Sequence, residues 1–261
     1  MSQIKVLDHG FVALRNIAGP TRRTEQIVRE IEPQYVVPRY TSEERPFDAD
    51  DIDPANAARM SFDAMDKTHS REDDLKLAEF LMKNRHTTPF EMIEVWIEMK
   101  MPIFVARQFV RHRTVSINEV SARYITLPAE WYVPDPRTVG VKQANIKQGR
   151  VIDEAPPSPV ATLFCSDLET DCRSSYDRYT AHLNAGIPPE LARCFLHVNH
   201  YTHWLWKQDL HNLMHFLSLR AHGHAQFEAQ AYGFAIIDLL RVHLPHSMAL
   251  FDKYRRQEVR S

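Results

Sequence analysis

Three features of the chain predict an α+β fold: a core sheet with several long helices. Ile93, Val95, Ile97, Met99 and Met101 alternate with Glu94, Trp96, Glu98 and Lys100, the period-two pattern of a strand with one buried face. Leu210, Leu213, Met214 and Leu217 recur at helical spacing and form an apolar stripe. The stretch from Pro159 to Asn184 opens on a proline and closes at Gly186, the two ends a helix favours. Helices dominate and strands are few. The 261 residues, 44% of them hydrophobic, suit one domain spanning 1–261, with no internal repeat.

From the N-terminus, Phe11–Ile17 (FVALRNI) leans toward β structure and predicts a strand. Residues 19–50 are charged and interrupted by Pro20, Pro33, Pro38 and Pro46, which predicts a surface insertion with a helical turn at Gln26–Ile31. Asp53-Pro54 predicts a helix start, with Asp as N-cap and Pro first in the helix, running through ANAARM. Arg71 to Asn84 predicts a second helix. Glu72, Asp73 and Asp74 lie near its start, and Leu75, Ala78, Leu81 and Met82 form its stripe. His86 to Phe90 (HTTPF) breaks it.

After the alternating strand, Pro102 opens a helix, IFVARQFVRH, on which Gln108, Arg107 and Arg111 share a face. Residues 121–126 predict a returning strand, and the proline-rich 134–159 a long surface loop. Pro188-Pro189-Glu190 starts a short helix carrying Arg193. His200–Lys207 (HYTHWLWK) predicts a strand with Trp204 and Trp206 on one packed face. Asp209 caps LHNLMHFLSLRAHG, and Gln226–His243 forms a further long helix stopped by Pro245.

Composition narrows the function. The formal net charge is −2, so the chain is not a general nucleic-acid binder, and any anion site must be local. The start, MSQIKVLDHG, lacks the apolar run of a signal peptide, and no apolar run reaches the ~20 residues of a membrane span, so a cytoplasmic protein is expected. Three cysteines, Cys165, Cys172 and Cys194, have no metal spacing and fit packed thiols in a reducing compartment. With seven glycines and neither GxGxxG nor GxxxxGK[ST], any phosphate must be held by side chains.

The stretch RHRTVSINEVSARY, Arg111 to Tyr124, supplies such side chains. It gathers Arg111, His112, Arg113 and Arg123 around one carboxylate, Glu119, with Ser116, Asn118 and Ser121 between them and Arg107 and Gln108 just upstream. Guanidiniums this close repel one another and add nothing to a core. They suit an anion with several acceptor oxygens, which Arg meets with a planar fork. A solvated basic loop is the plain alternative.

Other groups carry less. His211 and His215, four apart on a helix, or His222 and His224, could hold zinc, but HExxH is absent and no metal is expected. Cys165 and Cys172 stand seven apart on one helix, which is core spacing, and no GxSxG marks a serine nucleophile. Arg220, near a helix C-terminus, reads most plainly as a partner of the helix dipole. Two further readings stay open: a nucleotide-binding module without chemistry, and a histidine-rich metalloprotein.

The arginine stretch resembles the flavin-dependent thymidylate synthases. It matches their pattern R-H-R-x-x-S-x-N-E-x-S-x-R at Arg111, His112, Arg113, Ser116, Asn118, Glu119, Ser121 and Arg123. GFVAL, AARMSFD, HTTPFE, PIFVARQ, ELAR and NLMHFLSLRAHGHAQFEAQ also resemble family segments in the family's order, covering about residues 7–16 and 55–250. The resemblance implies reductive methylation of deoxyuridylate, with 5,10-methylenetetrahydrofolate as carbon donor, NADPH as reductant and FAD between them. It implies a homotetramer with active sites shared between subunits, and neither nucleic-acid nor membrane partners. The implied flavin contacts are Thr88, Arg111, His112, Arg113, Glu119, Asp209, Leu210, His211 and His215. The implied nucleotide contacts are Gln108, Phe109, Val110, Arg111, Glu119, Val120, Ser121, Ala122, Arg123, Arg193 and Arg220, with Arg220 catalytic beside the uracil ring and His86 near the folate. At 209–211 and 215 this chain has Asp-Leu-His and His where some members carry Asn-Ala-Arg and Asn.

Overall fold

The computed structural model describes residues 3–20, 49–64, 67, 69–142, 150–152 and 158–256. The strands are β1 (Gln3–Val6), β2 (Gly10–Ala18), β3 (Glu94–Pro102), β4 (Ser116–Glu119) and β5 (Tyr201–Asp209). They form one antiparallel sheet in the order β1-β2-β3-β5-β4. The helices are α1 (Asp53–Arg59), α2 (Arg71–Lys83), α3 (Thr88–Glu91), α4 (Ile103–Phe109), α5 (Pro159–Asn184), α6 (Pro189–Ala192), α7 (Leu210–Arg220), α8 (Phe227–His243) and α9 (Pro245–Tyr254).

The alternation read from β3 is the inner face of the sheet: Val95, Ile97, Met99 and Met101 are buried. Trp204 and Trp206 face the same way from β5, opposite Met99 and Ile97. Helices α7 and α8 share the core with this face, and α8 packs on β1 and β2. Phe109, Trp206 and Phe216 form an aromatic cluster, with Phe216 4.9 Å from Phe109 and 4.7 Å from Trp206. It ties the end of α4 to α7, and removing such a ring from a core costs about 3–5 kcal/mol. Gly10 is fixed by close approach: a Cβ there would lie 2.1 Å from the Tyr232 hydroxyl, which donates to the Lys100 carbonyl at 2.7 Å.

Helix ends follow local chemistry. Ser70 caps α2 by accepting from Asp73 N, and Ser158 caps α5 by accepting from Ala161 N. Gly186, at φ +86°, ends α5 in the left-handed conformation that favours glycine.

Several sequence expectations are corrected. Asp53 lies inside α1 rather than capping it. Its buried carboxylate accepts from the Asp50 N–H at 2.7 Å, and burial pushes its pKa up to about 6. Helix α4 stops at Phe109, three residues early, because the Phe109 carbonyl accepts from His112 N at 3.0 Å and turns the chain outward. The returning strand is 116–119, not 121–126, where the Ser121 carbonyl takes the N–H groups of Tyr124 and Ile125 in a turn. Helix α2 ends before HTTPF as expected, but that segment also holds the start of a short helix, α3. Pro245 begins α9 rather than only ending α8, since the first turn of a helix tolerates its missing N–H. The Asp51 carboxylate caps α9, accepting from His246 N at 2.8 Å and Ser247 N at 2.7 Å. Cys165 and Cys172 are buried as expected, but Cys194 is exposed. The helical turn at Gln26–Ile31 lies outside the described residues, as does most of 19–50. At the flanks of that segment, Ala49 N donates to the Ile17 carbonyl at 3.0 Å.

Candidate active site

The candidate site forms where the last turn of α4, the turn after it and the C-terminal end of α7 meet. Phe109, buried in the aromatic cluster, anchors α4 so that Gln108 and His112 face Arg220 across 108 residues of sequence. Arg220 Nε donates to His112 Nε2 at 3.1 Å, and Arg220 Nη2 reaches the Gln108 carbonyl at 3.5 Å. The guanidinium therefore turns toward α4 rather than toward the end of its own helix. His112 stacks edge-on against Phe216 at 4.9 Å. Burial, reinforced by the charges of Arg220 and His215, pushes its pKa down to about 4. It is neutral at neutral pH, with Nε2 as acceptor and the proton on Nδ1. Burial also lowers the Arg220 pKa, though an arginine stays charged.

Around this pair the cations are open. Arg107, Arg111 and Arg113 are exposed and make no ion pair among the described residues. Arg123 Nε donates to Ser121 Oγ at 3.1 Å, and its guanidinium lies 4.9 Å over the Tyr124 ring. Glu119, exposed like them, makes no ion pair with these arginines among the described residues. Its register opposite Trp204 turns it to the inner side of the edge strand, where the Thr202 hydroxyl donates to its carboxylate. Val120 N continues the contact with β5, donating to the His203 carbonyl at 2.9 Å. Val110 is exposed and Ala122 buried.

The other end of α7 holds a second group of expected residues. Asp209 caps the helix, and Asn212 occupies both carboxylate oxygens, N to Oδ1 at 2.8 Å and Nδ2 to Oδ2 at 2.7 Å. The Leu210 side chain is fully buried, and its N–H is taken by the Ile93 carbonyl at 2.8 Å. His211 is half-buried, with its pKa lowered first by burial, and His215 is exposed. Helix α3, which begins with the exposed Thr88, packs against α7. His86 is exposed and meets Phe80 edge-on at 5.9 Å. Leu210 and Arg220 are ten residues apart, so α7 separates the two groups by about 15 Å.

Arg193 stands elsewhere, exposed, with Nε on the Glu190 carbonyl at 3.2 Å. Its short 3-10 turn packs on α5 and α6. Among the described residues no group of three or more His, Cys, Asp or Glu is arranged to hold a metal ion. A hollow of about 530 Å³ opens on the outer sheet face beside Arg15, Trp96, Glu98 and His203. It touches the arginine stretch only through Val120, and the open guanidiniums lie outside it. The guanidiniums, rather than the hollow, are the candidate anion site, because charge rather than volume selects an anion.

Sequence reasoning missed a hydrogen-bonded set beside the site: the buried Glu228 with the half-buried Arg150 and Gln226. Gln226 Nε2 donates to Glu228 Oε2 at 2.8 Å, and Gln108 Nε2 donates to Gln226 Oε1 at 2.6 Å. The only signal was the AQFE segment at the start of α8, which no spacing rule connects to Gln108.

The fold and site thus define a class: an α+β protein with clustered arginines and a half-buried guanidinium, a chemistry suited to an anionic ligand. Residues 47–246 match the family described as "Thymidylate synthase complementing protein", Thy1, and the chain belongs to that family. It is 37% identical over 264 residues to a "Flavin-dependent thymidylate synthase" of Rickettsia bellii, covering 97% of this chain and 79% of the relative. It is 42% identical to the protein so described in Ruegeria pomeroyi, covering 96% of this chain and 73% of the relative. Among solved structures it resembles a UMP/dUMP methylase PolB from Streptomyces cacaoi bound with 5-Br dUMP. The TM-score is 0.74 at 25% identity, covering 97% of this chain and 99% of that one.

Proposed function

We propose that this chain is a flavin-dependent thymidylate synthase, a methyltransferase that converts deoxyuridylate to thymidylate. 5,10-Methylenetetrahydrofolate is the carbon donor and NADPH the reductant. The observation that carries the reading is Arg220, held by neutral His112 and the Gln108 carbonyl beside the open Arg107, Arg111 and Arg113. Family membership and the relatives' descriptions agree with it.

The donor set suits FAD: exposed guanidiniums can meet a pyrophosphate where no glycine-rich cradle exists. When bound, FAD supplies the electron transfer, and the protein supplies position and charge. Arg111, His112 and Arg113, with Thr88, Glu119, His211 and His215, are the proposed flavin contacts, and Asp209 and Leu210 frame the start of their helix. Gln108 to Arg111, Glu119 to Arg123, Arg193 and Arg220 are the proposed nucleotide contacts, with His86 near the folate. Arg220 stabilises negative charge developing on the uracil ring. His112, by staying neutral, accepts from Arg220 Nε and adds no competing charge beside the substrate.

The proposed assembly is a homotetramer with shared sites, in which Arg193 serves a site other than its own chain's. Its exposure, and its place on elements packed against α5, support this. We also propose a single catalytic domain over 1–261 carrying a surface insertion at about 19–50. Among the described residues no helix is long and apolar enough to cross a membrane, and a cytoplasmic location is proposed.

The test is a flavin spectrum of the purified protein, followed by single turnover with deoxyuridylate and methylenetetrahydrofolate. FAD should bind stoichiometrically and thymidylate should form. A protein that neither binds FAD nor quenches its fluorescence refutes the reading.

A further inference from the structure

A relay that starts on the buried Glu228 ends on the half-buried Gln108 side chain. Glu228 is 2% exposed, and four donors converge on its carboxylate. Arg150 Nη2 at 2.7 Å and the Tyr132 hydroxyl at 3.1 Å reach Oε1. Gln226 Nε2 at 2.8 Å and Arg150 Nη1 at 3.3 Å reach Oε2. A carboxylate paired with a guanidinium only accepts. It therefore draws the nitrogen end of the Gln226 amide, which leaves Gln226 Oε1 to accept from Gln108 Nε2 at 2.6 Å. With one N–H held by Gln226, the Gln108 amide keeps its nitrogen on that side and leaves its oxygen on the other. That oxygen makes no hydrogen bond among the described residues, and the same residue's backbone carbonyl meets Arg220.

We propose that Gln226 and Glu228 are positioning residues that set the polarity of the nucleotide site. Together they hold the Gln108 amide oxygen outward, to accept from an N–H or O–H group of the nucleotide beside Arg220. An unanchored glutamine offers either end of its amide. Anchored on a buried anion two hydrogen bonds away, it keeps its nitrogen toward Gln226 and its oxygen toward the site. The proposal rests on the functional reading above, in which Gln108 faces deoxyuridylate.

The experiment uses FAD-loaded enzyme and measures deoxyuridylate affinity, KM, kcat, FAD binding and melting temperature. Gln226→Met cuts the relay without altering charge. Its deoxyuridylate Kd and KM should rise roughly tenfold, near the worth of one hydrogen bond. FAD binding should hold, and kcat at saturating nucleotide should stay within about threefold. Glu228→Gln should raise Kd in the same way, because a neutral amide can present either end to Gln226. The exchanged pair Gln226→Glu with Glu228→Gln restores an anion facing Gln108 Nε2, and should recover most of the lost affinity. A merely structural role would not respond to that exchange.

Two analogues identify the donor: N3-methyl-deoxyuridylate removes the ring N–H, and 2′,3′-dideoxyuridylate removes the sugar hydroxyl. The analogue lacking the relevant donor should be insensitive to Gln226→Met. If both keep the full tenfold effect, no nucleotide donor meets Gln108 and the proposal falls. If wild type binds deoxyuridylate and folded Gln226→Met binds it equally well, the proposal falls alone. If the wild-type holoenzyme binds no deoxyuridylate, the functional reading falls and takes the proposal with it.

Discussion

Replacing Arg220 by lysine separates a structural role from a chemical one. As a partner of the α7 dipole, the position needs only a cation, and lysine should be silent to within about 0.3–1 kcal/mol. The structure gives Arg220 more to do. Nε is committed to His112 at 3.1 Å and one terminal nitrogen to the Gln108 carbonyl at 3.5 Å, while the rest of the fork is open to a ligand. A lysine ammonium can replace one of these donors but not the planar set. On the stability side, losing one long hydrogen bond costs about 0.5–1.5 kcal/mol. For a chain of this length that lowers the melting temperature by only a few degrees. On the rate side, losing a preorganised donor to developing charge costs about 2.7–4 kcal/mol, or roughly 100- to 1000-fold. Single-turnover oxidation of reduced flavin by deoxyuridylate and methylenetetrahydrofolate, alongside thermal melting, measures both. Arg220→Lys should melt near wild type, bind FAD and lose most turnover. A variant within a few-fold of wild-type rate would return Arg220 to the dipole role and refute the reasoning.

Acidification tests His112. Its folded pKa of about 4 lies below the ordinary value of 6.5, so between these the unfolded chain binds more protons. Its stabilising contribution is complete above about pH 6.5 and is lost as pH falls through about 4. His112→Gln keeps an acceptor but cannot titrate, so its melting temperature should decline less steeply over that window; equal slopes would show that His112 is not held neutral. The triple serine variant of Cys165, Cys172 and Cys194 should keep turnover in whatever fraction folds with FAD bound, because burial raises the first two thiols and no base is hydrogen-bonded to the third among the described residues. Loss of turnover in folded, flavin-loaded protein would reveal a thiol nucleophile. Mixing inactive Arg193→Ala and Arg220→Ala proteins under subunit exchange should restore some activity; zero activity with exchange verified by mass would refute shared sites.

The parts of the fold legible in the sequence were those whose signal is local. The β3 alternation, the bounds of α5 and the Asp209 cap of α7 each depend on neighbours a few residues away. Strand β4 was misplaced because SINE carries only one apolar residue, Ile117, and its pairing is dictated by β5. Helix α4 was drawn too long because Arg111 fits a helical face, while the turn that ends the helix shows only in the backbone bond from His112. The arginine stretch announced a site, but not its geometry. Glu119 reads as a counterion from spacing, and only the sheet register assigns it to Thr202. Arg220 was legible as a candidate site residue through the family pattern alone, since its contacts with Gln108 and His112 span more than a hundred residues. The Glu228 relay was invisible for the same reason.

The bond from Ala49 N to the Ile17 carbonyl has a practical consequence for the segment between them. That bond closes the described flanks, Ile17 and Ala49, on each other as a neck, so the length of the sequence between them is decoupled from the sheet register on one side and from α1 on the other. The entropy of closing such a loop grows only with the logarithm of its length, about 0.6 kcal/mol per doubling. The neck is therefore a natural graft point, where a short linker, an epitope or a whole guest domain could replace the native segment. The junction must spare Asp51, just past the neck, because that carboxylate also caps α9, the C-terminal helix. A splice two residues too long would loosen the far end of the chain while leaving its own surroundings intact.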